Sequence, residues 1–184
     1  MAVNPNSAEV RSNESTNVRN EIVSAGILPI TIRLSERGDV PAIQDLVRDA
    51  YGQYVAAEGS EPAPMKADYQ SLVEAANTWV AERTGHVVGL LVLEVETDHL
   101  LLENIAVASE VRGQGVGRRL LSFAEERALE LEIPEIRLYT GEVMTQNLHY
   151  YPRHGYRETH RGYEDGHRRV YFSKRVGPRS MQES

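Results

Sequence analysis

Apolar residues recur along the chain with two different periods, and the places where one gives way to the other mark out the elements. Residues 30–34 alternate, Ile30, Ile32 and Leu34 against Thr31 and Arg33, which predicts a first strand just after Pro29. Asp39 is an N-cap candidate with Pro41 in the first helical turn, and Ile43, Leu46, Val47 and Ala50 draw an apolar stripe continuing toward Tyr54. Residues 58–66, with Gly59, Pro62 and Pro64, read as loop, and residues 69–76 as a short helix. Trp79-Val80-Ala81 and residues 87–95 form a hairpin turning at Arg83-Thr84-Gly85, and residues 100–108 form a further strand.

From Gly115 the period becomes helical. Val116, Leu120, Ala124 and Ala128 share a side with Leu121, Phe123 and Leu131, while Arg118, Arg119, Ser122, Glu125 and Glu126 lie mostly opposite. Pro134 stops this helix; residues 136–139 are a strand, 144–151 a short helix, and Val170-Tyr171-Phe172 a closing strand. The succession predicts a single α/β sandwich with a mostly antiparallel sheet and one central parallel crossover. Residues 1–24 are too polar to offset their own ordering entropy and are expected as a tail. One domain over residues 25–176 and a C-terminal tail over 177–184 complete the expected organisation.

A chain of 184 residues buries its own core in one domain. It holds no cysteine, which removes disulfides, zinc–thiolate sites and a covalent cysteine nucleophile. A formal net charge of -7 speaks against a nucleic-acid binder, which needs a basic face, and is compatible with a cationic substrate such as an amine. Residues 1–20 contain no apolar h-region, so no signal peptide is expected, and no apolar run approaches a membrane span. The expectation is a cytoplasmic protein without membrane or nucleic-acid partners.

The stretch with the clearest chemistry is Arg112-Gly113-Gln114-Gly115-Val116-Gly117. Three alternate glycines where strand becomes helix let the backbone fold tightly and bring N–H groups together. A helix start adds free donors and partial positive charge, and Arg112, Arg118 and Arg119 flank it, so a diphosphate is the natural guest. The Rossmann spacing counted from Gly113 needs glycine where Arg118 stands, and the Walker pattern needs Lys then Ser/Thr where Arg118-Arg119 stand.

Arg112-Gly113-Gln114-Gly115-Val116-Gly117 resembles the R-x-x-G-x-G/A signature of the GNAT superfamily of N-acetyltransferases, and Glu103-Asn104-Ile105-Ala106-Val107 looks like that family's fourth strand. Asn147-Leu148-His149-Tyr150-Tyr151, followed by Gly155-Tyr156, resembles its downstream motif. The likeness runs from about Ile30 to Lys174. It departs at Met144, where the family's asparagine often lies, and at His149, where the family has a small residue.

The resemblance implies the GNAT-type α/β fold: a mostly antiparallel twisted sheet of about seven strands, helices on both faces, and splayed fourth and fifth strands. It implies acetyl-CoA as co-substrate, no metal, and transfer of its acetyl group to a primary amine, whether of a small molecule or a peptide. Ile105, Ala106 and Val107 would serve the pantetheine arm, with a main-chain N–H near Val107 polarising the thioester carbonyl. Arg112, Gly113, Gln114, Gly115, Val116, Gly117 and Arg118 would hold the pyrophosphate, Asn147 would contact the arm, and Tyr151 would stand near the sulfur as general acid. Without cysteine, direct attack in a ternary complex is favoured over an acyl-thioenzyme.

Glu103 alternates onto the strand face of Ile105 and Val107 and is either the general base or a hydrogen-bonded strand glutamate. His149 and His154 are either further candidates or surface residues. Acceptor specificity is expected from residues 58–66, the helix after them and a hairpin near residues 162–166. Tyr51, Tyr54 and Tyr69 either line an acceptor pocket or fill the core, and core is favoured for Trp79. A non-catalytic acyl-CoA-binding module and a nucleotide-binding domain of another class stay open beside the transferase, and a homodimer through C-terminal edge strands is an expectation.

Overall fold

The alternation after Pro29 is realised as β1 (Thr31–Leu34), the outer strand of a seven-stranded sheet in a computed structural model that describes residues 29–177. The chain divides into two units, residues 1–30 and 31–184, and of the first only Pro29 and Ile30 are described. The expected N-terminal tail and all but the first residue of the C-terminal one lie outside the described residues.

Helix α1 (Val40–Tyr51) buries Ile43, Leu46, Val47 and Ala50, the stripe drawn by the sequence. Asp39 precedes it but does not cap it with its side chain. Its carboxylate takes the Glu36 N–H at 2.8 Å and Arg33 Nη1 at 2.7 Å, so it closes a 3₁₀ turn (Arg37–Asp39) and ties that turn to β1. Residues 58–66, expected as loop, are partly helical. A turn α2 (Val55–Glu58) runs into them, and α3 (Ala63–Lys66) follows with Pro62 at its N-cap and Pro64 in its first turn. Proline is tolerated there because those N–H groups have no intrahelical partner. Helix α4 (Tyr69–Glu74) is capped by Asp68, which takes the Ser71 N–H at 3.2 Å.

Strands β2 (Thr78–Arg83), β3 (His86–Val95) and β4 (Leu100–Val107) form the expected antiparallel meander. Helix α5 (Val116–Glu130) crosses to β5 (Glu135–Gly141) and ends where Glu132 turns left-handed at φ 57° and the Ile133 N–H meets the Ala128 carbonyl at 2.8 Å. Helix α6 (Thr145–Arg153) leads to β6 (Arg157–Glu164) and β7 (His167–Arg175), and the strand order is β1-β2-β3-β4-β5-β7-β6. All neighbours are antiparallel except β4 and β5. No described helix is long and apolar enough to cross a membrane.

The two faces are covered differently. Ile43, Val47, Tyr69 and Val73 of α1 and α4 pack with Val80, Leu90, Val92 and Ala106 of the sheet. Gly89 points the opposite way from Leu90, as successive strand residues do. A Cβ on Gly89 would lie 3.0 Å from Ala81 Cβ, Val116 Cγ1 and Leu120 Cδ1, so α5 rests directly on Gly89 on the other face.

Gly89→Val is therefore expected to cost about 1–3 kcal/mol through overpacking. A urea melt should show a lower midpoint; an unchanged midpoint would mean that α5 is not seated on Gly89.

Candidate active site

Strands β4 and β5 pair only at Leu100↔Ile136 and Leu101↔Arg137. Beyond that point the rest of each strand has no partner across the gap, so the fourth and fifth strands splay. Next to the gap the β3–β4 register shifts: Val92 faces Asn104 but Leu93 faces Leu102, leaving Glu103 as an extra, bulged residue. A bulge adds local twist and re-aims side chains. Burial nonetheless alternates along the whole of β4, so Glu103 keeps the face of Ile105 and Val107 as the alternation predicts.

Further along β4 the main chain is orderly. The Ala108 N–H donates to the Val88 carbonyl at 3.0 Å. Bonded and non-bonded positions alternate in an antiparallel ladder. Ala106 and Asn104 therefore turn their main-chain groups to β3, and Ile105 and Val107 turn theirs to the gap. Ala106, named for a cofactor arm, has its side chain in the core.

Two cavities open at the splay. One, of about 370 Å³, is lined by Pro64, Tyr69, Leu72, Glu94, Glu103 and Tyr139, among others. The other, of about 500 Å³, includes Val107, Arg112, Gly113, Val116, Arg118 and Tyr150 in its lining. Tyr51, Ile105, Asn147 and Tyr151 line both, so the cavities meet at these four residues.

The glycine turn borders the second cavity. Gly113 and Gly115 are left-handed, at φ 76° and 85°, and a Cβ on either would meet nothing within 4 Å, so conformation requires glycine there. Gly117 is required by space: its Cβ would stand 2.7 Å from the Tyr150 hydroxyl and 3.6 Å from Val107 Cγ2. The N–H groups of Gln114 and Arg119 are taken by the carbonyls of Val111 and Gly115 at 3.2 and 3.0 Å. Among the described residues no backbone acceptor takes those of Gly113, Gly115, Val116, Gly117 and Arg118, and all five residues line the cavity. Gln114 stands apart from this group. It lines neither cavity, and its amide is held by Arg83 Nη1 at 2.6 Å and the Glu110 carbonyl at 3.1 Å. The turn offers donors, partial positive charge and two exposed arginines to an anion.

At the junction, Tyr151 is 4% exposed and wedged among Tyr150, Tyr156 and Phe172, with ring centroids 5.6 to 5.8 Å away. Burial pushes its phenol pKa up, so it keeps its proton. The hydrogen bonds of the site run through Tyr51, Asn104, Tyr69 and Tyr139; none among the described residues involves the Tyr151 hydroxyl. Asn147 Nδ2 donates to Thr140 Oγ1 at 2.9 Å and so braces α6 against β5.

Glu103 Oε1 accepts from the Tyr139 hydroxyl at 2.9 Å, a side-chain link across the splay. Burial holds its carboxyl above the usual glutamate range, partly offset by that hydrogen bond. The Arg169 guanidinium lies 4.4 Å from the centroid of the Tyr139 ring. Of the histidines, His149 is exposed and lines neither cavity, while His154 lines only the second, its Nδ1 donating to the Tyr150 carbonyl at 2.9 Å. Trp79 packs against Phe123 of α5, centroids 5.8 Å apart. Among the described residues no three His, Cys, Asp or Glu side chains gather as a metal would need.

The sequence reading passed over Asn104, Tyr139 and Arg169. Asn104 carried a usable signal, since asparagine is depleted in strands and here is only 6% exposed. It receives the Tyr51 hydroxyl on Oδ1 at 2.6 Å and donates from Nδ2 to the Tyr69 hydroxyl at 2.9 Å.

No curated protein matches the sequence. Among solved structures, the PaiA N-acetyltransferase of Thermoplasma acidophilum in complex with coenzyme A superposes with a TM-score of 0.69 at 16% identity, over 81% of this chain and 100% of that one. The ribosomal-protein-alanine N-acetyltransferase of Brucella melitensis gives 0.63 at 23% identity, over 79% and 99%. A GNAT family acetyltransferase of Elizabethkingia anophelis with acetyl-CoA bound gives 0.59 at 20% identity, over 80% and 98%. At these identities the likeness speaks to the fold. The model of the acetyltransferase (GNAT) family matches residues 40–156, from the first residue of α1 through the glycine turn to Tyr156. With the splayed strands, the glycine turn and Tyr151 all inside that span, the chain belongs to the GNAT acetyltransferase family.

Proposed function

We propose that this chain transfers the acetyl group of acetyl-CoA to a primary amine by direct attack, with the two substrates entering from opposite cavities. The observation that carries the reading is the junction: the two cavities adjoin and share Tyr51, Ile105, Asn147 and Tyr151. The second cavity suits the cofactor. Its five free N–H groups, Arg112 and Arg118 would hold a pyrophosphate, and the gap-facing main chain of Ile105 and Val107 would pair with an amide-bearing arm. Two of the superposed structures carry coenzyme A or acetyl-CoA, in keeping with this. The co-substrate supplies an activated thioester; the protein supplies alignment and proton positions.

The first cavity takes the amine. Glu103, two residues before Ile105 on β4 and lining the same cavity, accepts the proton that the nitrogen loses. As the nitrogen–carbon bond forms and the carbon–sulfur bond breaks, the sulfur takes a proton from Tyr151. Of the two junction phenols only Tyr151 is available for this, because the Tyr51 proton is held by Asn104 Oδ1 at 2.6 Å and leans on the Ile105 carbonyl at 3.2 Å. A thiol-release assay over phenethylamine, spermidine and an alanine-terminated peptide tests the reading. Tight acetyl-CoA binding with no turnover on such a panel would favour a binding module instead.

Four variants follow. Gly115→Glu puts a side chain at φ 85° and a negative charge beside the free N–H groups, so the acetyl-CoA Kd should rise at least about tenfold, while Gly115→Ala, which carries only the strain, should lose less. Equal losses in the two would separate the turn from the pyrophosphate. Tyr151→Phe should lower kcat by about a hundredfold with acetyl-CoA affinity kept; a kcat within a few-fold of wild type would remove Tyr151 from proton transfer. Glu103 acts as a base only when deprotonated, and its pKa is raised by burial. The acid limb of kcat/KM should therefore lie above the ordinary glutamate range, activity falling as pH drops through it, and Glu103→Gln should lack that limb. By linkage, a raised carboxyl stabilises the fold below its unfolded pKa and loses that contribution as pH rises through the folded value. Glu103→Gln should thus be no less stable than wild type at neutral pH, so a coincident fall in Tm would count against a catalytic role.

A further inference from the structure

The Tyr51 hydroxyl has its direction set from a distance. The Pro64 carbonyl can only accept, and the Tyr69 hydroxyl donates to it at 2.9 Å. Toward Asn104, Tyr69 is therefore left to accept, and it does so from Nδ2 at 2.9 Å. That orients the Asn104 amide, with nitrogen to Tyr69 and Oδ1 to Tyr51. Tyr51 must then donate to Oδ1, at 2.6 Å, and its second contact, the Ile105 carbonyl at 3.2 Å, is another pure acceptor. Asn104 and Tyr69 are 6% and 2% exposed, so water does not readily replace any link.

A phenolic oxygen carries acceptor capacity besides its one proton. With the proton turned inward, Tyr51 meets the junction as an acceptor, and no donor among the described residues reaches its oxygen. An attacking amine needs this polarity. Its lone pair has to point at the thioester carbon, so the protein must hold it by its N–H bonds. A hydroxyl free to donate would instead bind the lone pair that attacks.

We infer that Tyr51 is an amine-positioning residue: its oxygen accepts an N–H of the incoming amine beside Glu103, with the polarity enforced by the Pro64–Tyr69–Asn104 chain. The inference rests on the amine-acetyltransferase reading. It assigns the oxygen to the amine and not to an amide N–H of the pantetheine arm because Glu94 and Glu103 line the same cavity, a setting for a cation. The one guanidinium there, Arg169, is held by Glu164 and Asp165 at 2.8 and 3.1 Å.

The test is Tyr51→Phe, which removes the oxygen and keeps the ring. Calorimetry in the presence of CoA should show phenethylamine binding about tenfold weaker, the loss expected for a hydrogen bond to a charged group. The KM for phenethylamine should rise similarly, with the acetyl-CoA Kd unchanged. Unchanged amine affinity overturns the inference, and so does a loss that falls on acetyl-CoA, which would give Tyr51 to the cofactor arm. Because binding is read without turnover, a wild type that binds phenethylamine but never acetylates it sinks the transferase reading alone, while one that binds no amine sinks both. Should the variant not fold, a wild-type complex with CoA and phenethylamine decides the point: nitrogen within hydrogen-bond distance of Tyr51 Oη supports the inference, and nitrogen elsewhere overturns it.

Discussion

Stopping a parallel strand pair after Leu101↔Arg137 exposes main-chain donors and acceptors that an unbroken sheet would pair. Left bare in a buried cleft, each such group costs about 1–3 kcal/mol. The fold tolerates the opening because side chains secure its edges: Tyr51 on the Ile105 carbonyl of β4, Asn147 on Thr140 of β5, and Tyr139 reaching across to Glu103. The outer edge of β5 is meanwhile fully paired, to β7 from Glu135↔Arg175 to Gly141↔Arg169. Held firmly on one side and stitched by side chains on the other, β5 can stand away from β4 without fraying. The cleft is a missing stretch of sheet with its edges secured.

The glycine turn is placed by the same economy of space. Helix α5 presses on Gly89 of β3 at one contact, and Tyr150 of α6 presses on Gly117 at another. Those two glycines bring the start of α5 against the sheet and against α6. Gly113 and Gly115 then only need to turn the chain, which their positive φ does. Two glycines serve packing and two serve conformation, and the turn's place beside the second cavity follows from both.

Much of this was legible locally. The change of period at Gly115, the three alternate glycines and the Tyr151–Gly155–Tyr156 spacing are short-range patterns, and each survives in the structure. What escaped depends on partners far along the chain or on water. Strand β6 carries almost no apolar alternation because seven of its eight residues are exposed, so nothing in its sequence distinguishes it from loop. The bulge at Glu103 exists only through pairing with β3. Tyr51, Asn104 and Tyr69 meet across separations of 53 and 35 residues, which no local periodicity reports.

That last group also explains why an asparagine occupies a position in β4 where an aliphatic residue would pack as well. A buried amide is costly unless every bond is made, and full satisfaction is what gives such a network a unique arrangement. Here the satisfied arrangement is a sequence of donors and acceptors with only one consistent direction, starting from a carbonyl in the first turn of α3 and ending at the cleft. An aliphatic residue at 104 would fill the volume but leave Tyr51 with a single, longer acceptor, the Ile105 carbonyl. Beside it Tyr151 has the opposite character, a proton kept by burial and not committed to any described partner. Two tyrosines of the same chemistry thus meet one junction as acceptor and donor, and the difference between them comes from one buried amide and the carbonyl behind it.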